Sequence, residues 1–263
     1  MFIFERNAIK SITKNNHYNY LFLHFMWLFN SSIGRKLVMS ISGLALVLFL
    51  TFHASMNLVL IFSESGYNWI CEMLGANWYA LVGTAGLAAL VLIHFIYAFW
   101  LTIQNRAARG TDRYEETAKI WGVDWASKNM LVLGIVVVLG LLVHLYNFWF
   151  NMQLAELTEM ETMFAPADGA GLVKYTFTGM LADGTMDGCW CHPVYCVVYL
   201  VWFVALWFHL THGIWSALHT IGWSNLIWFK RIKTIGFIWA TLVVLMFAAV
   251  VFYYLGVYFG ACL

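Results

Sequence analysis

The chain has 263 residues, of which 62% are hydrophobic and only 10% charged, and its mean hydropathy is +0.76. A soluble domain of this size could not bury so much apolar surface, so the composition predicts an integral membrane protein. The formal net charge of +1 gives no reason to expect a nucleic-acid partner.

The first 25 residues differ from the rest of the chain. Residues 10–17 are mostly polar, and the aromatic stretch that follows is too short and irregular for a membrane span. The segment also has no small-residue cleavage site of the kind that ends a signal peptide. We predict that residues 1–25 are an extension upstream of a natural start at Met26, or else an aromatic-rich interfacial helix.

Five long apolar stretches follow within residues 26–263. A hydrocarbon core about 30 Å thick is crossed by about 20 helical residues. The stretches at about 36–62, 78–104, 129–151, 194–219 and 235–260 are long enough, and neither proline lies in the middle of one. They are continuous rather than alternating, which argues against a β-barrel. The predicted fold is an all-α bundle of five transmembrane helices.

The charges between the spans indicate one orientation. Basic residues collect in cytoplasmic loops, and they are frequent before the first span and in the loops at 105–128 and 220–234. The loop at 63–77 has no Lys or Arg, and the loop at 152–193 has Lys174 against six acids. We therefore expect the N-terminus in the cytoplasm and the C-terminus outside.

Four spans each carry one deep histidine. At a rise of 1.5 Å per residue, His53 and His144 lie about 25 Å from the cytoplasmic ends of the first and third spans. His94 and His209 lie about 23 Å from the outer ends of the second and fourth spans. The histidines thus form two pairs at matched depths, and each pair comes from two helices that run in the same direction.

Paired imidazoles inside a membrane suggest haem. A polar ring in hydrocarbon needs a partner, and a haem iron accepts one imidazole nitrogen on each face. A flat macrocycle also needs small residues nearby, and Gly83, Gly140 and Gly213 share the helix faces of His94, His144 and His209. We therefore predict two haem b groups, one on His53 and His144 and one on His94 and His209.

Other readings of these histidines are open. A single intramembrane histidine often makes a helix–helix hydrogen bond or relays protons, and small residues are often only packing. His212 lies one turn beyond His209 and is the alternative ligand, although it would lie about 4.5 Å deeper than the match with His94 allows.

A short loop segment carries two of the five cysteines. Covalent haem attachment uses two cysteines separated by two residues before a histidine, but one residue separates Cys189 from Cys191 before His192. The spacing favours a loop thiol pair, which would oxidise if it faced the periplasm, over a metal site.

Two stretches of the chain follow a recognisable pattern. They are Ser32-Ile33-Gly34-Arg35-Lys36-Leu37-Val38-Met39-Ser40-Ile41-Ser42-Gly43-Leu44 before His53, and His209-x-x-x-Gly213-Ile214-Trp215-Ser216 with the trailing Gly222-Trp223. Both stretches resemble the cytochrome b subunits of succinate dehydrogenase and fumarate reductase. The order of four histidines on five helices resembles the dihaem type of Bacteroidetes-like bacteria. The resemblance covers about 26–260.

The resemblance implies a multi-pass anchor in a bacterial inner membrane, bound on its cytoplasmic side to a flavoprotein subunit and an iron–sulfur subunit. The anchor would pass electrons between the iron–sulfur subunit and a quinone, expected to be menaquinone. It assigns the axial ligands to His53, His94, His144 and His209, with the haem of His94 and His209 nearer the iron–sulfur subunit. Ser40 matches a position that meets a haem propionate.

The sequence departs from the family at two acidic positions. Some dihaem relatives have a proton-conducting Glu two residues before the fourth ligand, and Trp207 stands there in this chain. Some also have a quinol-linked Glu near the outer end of the second helix, which Glu72 matches only loosely. The direction of electron flow, and whether turnover moves charge across the membrane, are not implied.

Two rival functions come from the same features. One is a cytochrome b anchor for another respiratory complex, of the hydrogenase or nitrate reductase type. The other is a haem-free, proton-coupled transporter that uses intramembrane histidines as a relay. Transporters usually have internal repeats and broken helices, which this sequence lacks.

Overall fold

The computed structural model describes residues 31–109, 125–189, 191–223, 225 and 227–261. Residues 1–25 and Met26, on which the predicted extension and start depend, lie outside this part of the chain. Most of the described residues are helical, and the β structure among them is an isolated bridge between Met180 and Met186.

The helices are numbered in chain order. They are α1 (Ser32–Phe62), α2 (Glu64–Met73), α3 (Trp78–Arg109), α4 (Trp125–Lys128), α5 (Met130–His144), a π-helical segment (Leu145–Leu154), α6 (Ala155–Thr158), α7 (Gly169–Thr178), α8 (Cys191–Thr220) and α9 (Trp228–Ala261).

Five of these units are long and apolar enough to cross a membrane, as predicted. They are Ser32–Phe62, Trp78–Ala108, Met130–Thr158, Cys191–Thr220 and Trp228–Gly260. The third unit, called the third span below, joins α5, the π-helical segment and α6. The protein is therefore a multi-pass, all-helical membrane protein.

Most spans extend beyond their predicted ends because polar residues cap or continue the helices. Ser31 accepts a hydrogen bond from the Gly34 N–H at 2.9 Å, which starts α1 before the basic pair. Asn225 accepts from the Trp228 N–H at 2.8 Å, and α9 therefore begins seven residues before the predicted 235. Pro193 lies in the first turn of α8, where a proline needs no N–H partner.

Hydropathy predicts that the third span ends at about residue 151, but the helix continues beyond that residue. The Asn151 amide donates to the Asn147 carbonyl at 3.1 Å, and the Gln153 amide donates to the Gly75 carbonyl at 3.0 Å. Because these amides are satisfied by the chain itself, the helix continues to Thr158 through the π-helical segment.

Two short helices, α2 and α7, lie in segments predicted as loops. Ser63 caps both helices. Its N–H donates to the Val59 carbonyl at the C-terminal end of α1, and its hydroxyl oxygen accepts from the Gly66 N–H at 3.0 Å at the start of α2. Asn68 of α2 donates to Asp168 and accepts from the Ala170 N–H, both at 2.8 Å. These bonds hold α2 against the start of α7, over one end of the bundle.

The spanning helices are arranged as a four-helix ring with one helix outside it. α1 packs against α3 and α8, the third span packs against α8, and α3 touches the third span more lightly. α9 lies along α1 and α8. α1 therefore lies diagonally opposite the third span, and α3 lies diagonally opposite α8.

The two ends of the bundle differ in charge within the described residues. The end where α1 and α9 begin, called the basic end, carries Arg35, Lys36, Arg106, Lys128, Lys230, Arg231 and Lys233. The opposite end, called the acidic end, carries Glu64, Glu72, Glu156, Glu159, Glu161, Asp168, Asp183 and Asp187, with Lys174.

Candidate functional site

The structure brings the four deep histidines together in the two predicted pairs. The ring centroids of His53 and His144 are 5.7 Å apart at an interplanar angle of 82°. Those of His94 and His209 are 6.4 Å apart at 71°. Each pair joins diagonal helices, so both pairs lie inside the four-helix ring.

His94 is held by a serine on the neighbouring helix. The Ser42 hydroxyl donates to the Met39 carbonyl at 3.0 Å, and its Oγ lies 3.1 Å from Nδ1 of His94. Because the hydroxyl proton is bonded to the carbonyl, Oγ accepts from the Nδ1–H of His94. This bond leaves Nε2 of His94 with a free lone pair, as a metal ligand requires.

His209 faces His94 with an unpartnered nitrogen. Nδ1 of His209 is buried and has no hydrogen-bond partner among the described residues. Such a group costs about 1–3 kcal/mol when left unsatisfied. His212 instead packs its ring edge-on against Trp215, with centroids 5.0 Å apart. The structure therefore opposes His209 to His94, as the depth argument predicts.

Two glycines border this pair, and neither is among the three predicted. A Cβ at Gly43 of α1 would lie 3.1 Å from Cε1 of His94, and one at Gly134 of α5 would lie 3.8 Å from Cε1 of His209. A side chain at Gly43 would press on the His94 ring, whereas a Cβ at Gly134 would make only ordinary van der Waals contact with His209. Gly43 therefore keeps space beside His94.

Aromatic rings surround the pair at the acidic end. Phe49 stacks on His53 at 5.4 Å, Phe247 lies 5.7 Å from the same ring, and Phe148 lies 5.2 Å from His144. The Trp202 ring lies 6.0 Å from His144 and donates through Nε1 to the Val137 carbonyl at 3.0 Å. The surroundings of this pair are mainly apolar.

A short polar chain leads from α2 to His53. The Tyr67 hydroxyl donates to Oδ1 of Asn57 at 3.3 Å, and the Asn57 amide donates to the His53 carbonyl at 2.8 Å. Burial, followed by the nearby Cys71 thiol, raises the pKa of Tyr67. The phenol therefore stays protonated at neutral pH and remains a donor.

The predicted glycines lie in three different surroundings. Gly140 accommodates the Trp202 indole, which a Cβ at that position would overlap. Gly83 and Gly213 have no atom within 4 Å of where a Cβ would be, among the described residues. Gly140 therefore packs against Trp202, which in turn lies against His144 of the His53 and His144 pair. Gly83 and Gly213 have room for a side-chain carbon.

The two polar residues suggested by the family resemblance are placed as follows. Ser40 is buried near the basic end of α1, and its hydroxyl donates to the Lys36 carbonyl at 2.9 Å. Glu72 is exposed on α2 at the acidic end. The structure brings neither side chain against a histidine ring.

The sequence did not predict Ser42 or Gly134 as site residues, and it did not place Gly43 beside His94. Ser42 could have been found, because it lies about 9 Å from the start of the predicted first span, close to the expected depth of His94 in a core of about 30 Å. An intramembrane hydroxyl usually has a partner on its own or another helix. Nothing in the sequence distinguishes Gly43 or Gly134 from packing glycines.

The separation of the His94 and His209 rings is compatible with a shared metal ion. Two imidazoles that ligate one metal along a line, with bonds of about 2.0–2.1 Å, have ring centroids about 6.4 Å apart. His94 and His209 have this separation, and His53 and His144 are closer by less than 1 Å.

Comparison of the chain with protein-family models, curated proteins and solved structures gives no match.

Proposed function

We propose that this protein is the membrane-anchor cytochrome b subunit of a succinate:quinone oxidoreductase. In that role it carries electrons between an iron–sulfur subunit and menaquinone through two haem b groups. The observation that supports this proposal most directly is the presence of two imidazole pairs, each formed across a diagonal of one four-helix ring.

The four histidines would be the axial ligands. A haem with two imidazole ligands supplies one-electron transfer without an open coordination position. Ser42 would fix the tautomer of His94, and the buried Nδ1 of His209 would be free to coordinate or to bond a group absent from the chain itself. The phenylalanines around His53 and His144 would exclude water from the second pair.

The orientation proposed here puts the basic end in the cytoplasm. Arg35 lies half-buried with its guanidinium 5.6 Å from the centre of the Trp100 ring, and Lys36 and Arg106 are exposed. These cations are suited to carboxylates, either haem propionates or acids of a docking subunit. His94 and His209 would then be the pair nearer the iron–sulfur subunit.

The proposed complex can be tested by affinity purification from the native membrane. A tag on this chain should recover a flavoprotein and an iron–sulfur subunit, and the preparation should transfer electrons between succinate or fumarate and a menaquinone analogue in at least one direction. Recovery of hydrogenase or nitrate reductase subunits would contradict the proposed partner but not the haem sites. A colourless preparation without partners would instead favour the transporter.

A further inference from the structure

Four metal-ligating side chains lie together at the acidic end, apart from the intramembrane histidines. They are Asp187, Cys189, Cys191 and His192, called the thiol corner below. The corner lies where the loop after α7 meets the first turn of α8. Nothing in the proposed electron-transfer function uses these groups.

The ligand atoms of the thiol corner are already close together. The two Sγ atoms and a ring nitrogen of His192 all lie within 4.8 Å of one another. Zinc bonds of about 2.3 Å to sulfur and about 2.0–2.1 Å to nitrogen put ligand atoms about 3–4 Å apart in a tetrahedral site. A movement of about 1 Å would therefore bring these three atoms to coordinating distances.

His192 is oriented as a metal ligand would be. It is 3% exposed, and its Nδ1 lies 3.1 Å from the Thr176 carbonyl oxygen. Because a carbonyl only accepts, Nδ1 carries the proton in this contact, and a metal-bound histidine commonly makes this bond with its second nitrogen. Its Nε2 lies 2.9 Å from Oδ2 of Asp187 and shares a proton with it when no metal is bound. Asp187 is not in the group of three whose ligand atoms are mutually close, but its carboxylate borders that group through His192.

The backbone supports the same arrangement. The Cys191 N–H donates to Sγ of Cys189 at 3.2 Å, and the Cys189 N–H donates to Oδ1 of Asp187 at 2.9 Å. Gly179 has a φ of +72°, and a Cβ there would lie 2.6 Å from Cδ2 of His192 and 2.8 Å from Oδ1 of Asp187. A glycine is therefore needed for the loop to pass so close to this pair.

We propose that Cys189, Cys191, His192 and Asp187 bind one Zn²⁺ ion, which fastens the loop after α7 to the start of α8. Thiolates, an imidazole and a carboxylate are all zinc ligands, and four of them complete the tetrahedral coordination that zinc prefers. Binding forms two Zn–S bonds, one Zn–N bond and one Zn–O bond, and three protons leave to solvent, one from each thiol and the one shared between His192 and Asp187. Both thiols must be reduced for this step, because on the outer side of the membrane an unoccupied pair would oxidise.

An ion can reach the corner from one side. A cavity of about 310 Å³ is lined by Cys191 and His192, with Tyr175 and Tyr195 among its other walls. Both cysteines of the corner are exposed and unpaired by disulfides. The thiols are thus accessible from solvent, while the imidazole is anchored in the protein.

The test uses the full-length protein, purified with a reductant and without a polyhistidine tag. ZnCl₂ is added, unbound metal is removed by desalting, and zinc per chain is measured by mass spectrometry. We expect one zinc ion per chain in the wild type and in the control variant Cys71→Ser, which alters a half-buried thiol elsewhere. Cys189→Ser and Cys191→Ser should weaken zinc binding at least tenfold.

A second measurement does not depend on how the variants fold. Zinc should slow the alkylation of Cys189 and Cys191 in the wild type at least tenfold, and a chelator should restore the rate. The proposal is overturned if the reduced wild type retains no more zinc than the two serine variants. It is also overturned if zinc leaves alkylation unchanged, in which case Asp187 and His192 form only an ion pair. Neither result bears on the haem sites.

Discussion

At the scale of single residues, the position of a ring decides which histidine can act as a ligand. His209 faces His94 across the bundle, whereas His212, only three residues later, packs on Trp215. Sequence spacing alone leaves both open, because both lie in the same apolar run. The choice depends on which ring meets the opposite helix at the same depth.

Substitution of His209 should remove one haem and leave the other. We expect His209→Ala to lose the haem shared with His94 and to keep the haem of His53 and His144, because the two pairs are on different diagonals of the ring. His212→Ala is the matched control and should keep both. The haem-to-protein ratio of the purified variants measures the outcome, and loss of haem in His212→Ala but not in His209→Ala would contradict the assignment.

The hydrogen bond from His94 to Ser42 should tune one haem without holding it. An acceptor for the Nδ1–H makes the imidazole more basic and favours the oxidised iron. Ser42→Ala should therefore raise the potential of that haem, by up to about 60 mV if the bond contributes ~1.4 kcal/mol. Potentiometric titration measures the shift, with the exposed Ser55→Ala on the same helix as control. An unchanged or lowered potential would refute this role.

At the scale of elements, the contact between α1 and α3 depends on a glycine beside a histidine. Gly43→Val should displace the His94 ring, because even a Cβ there lies 3.1 Å from Cε1. We expect this variant to lose the haem of His94 and His209. Gly83→Ala, whose added carbon meets no described atom within 4 Å, should keep both haems. Equal haem content in the two variants would show that Gly43 is only a packing residue.

The docking of α2 on α7 can be followed through Cys71. Burial raises the pKa of this thiol to about 11, although a bond with Tyr67 acts in the opposite direction. Burial disfavours the thiolate, so the folded protein should react slowly with iodoacetamide at pH 8, and the rate should still rise about tenfold per pH unit at pH 10.

The reaction of Cys71 is measured by mass spectrometry of its peptide, with the protein unfolded in detergent as the control. In the unfolded chain the rate should level off near pH 9, the ordinary range of a thiol. A folded protein that also levels off near pH 9 would show that α2 does not bury this residue against α7.

At the scale of the whole molecule, hydropathy predicts the five spans because crossing a membrane requires long apolar helices. The pairing of histidines by depth follows from the same geometry, since the rise per residue is fixed. Both predictions rest on properties that each helix has independently of its neighbours.

Features that depend on tertiary partners were not predicted. The third span continues past Asn151 because Gln153 reaches the Gly75 carbonyl of another segment. α2 and α7 hold each other through Asn68, and each helix is only ten residues long. Gly43 becomes part of the site only because α3 brings His94 to it. A single sequence does not report such contacts.

If the two imidazole pairs hold two haem groups, the purified protein contains two haem b groups per chain. The full-length protein, purified from membranes with haem supplied, is assayed as the reduced pyridine haemochrome against protein concentration. We expect two haems per chain. A preparation with one haem, or with none, would contradict it.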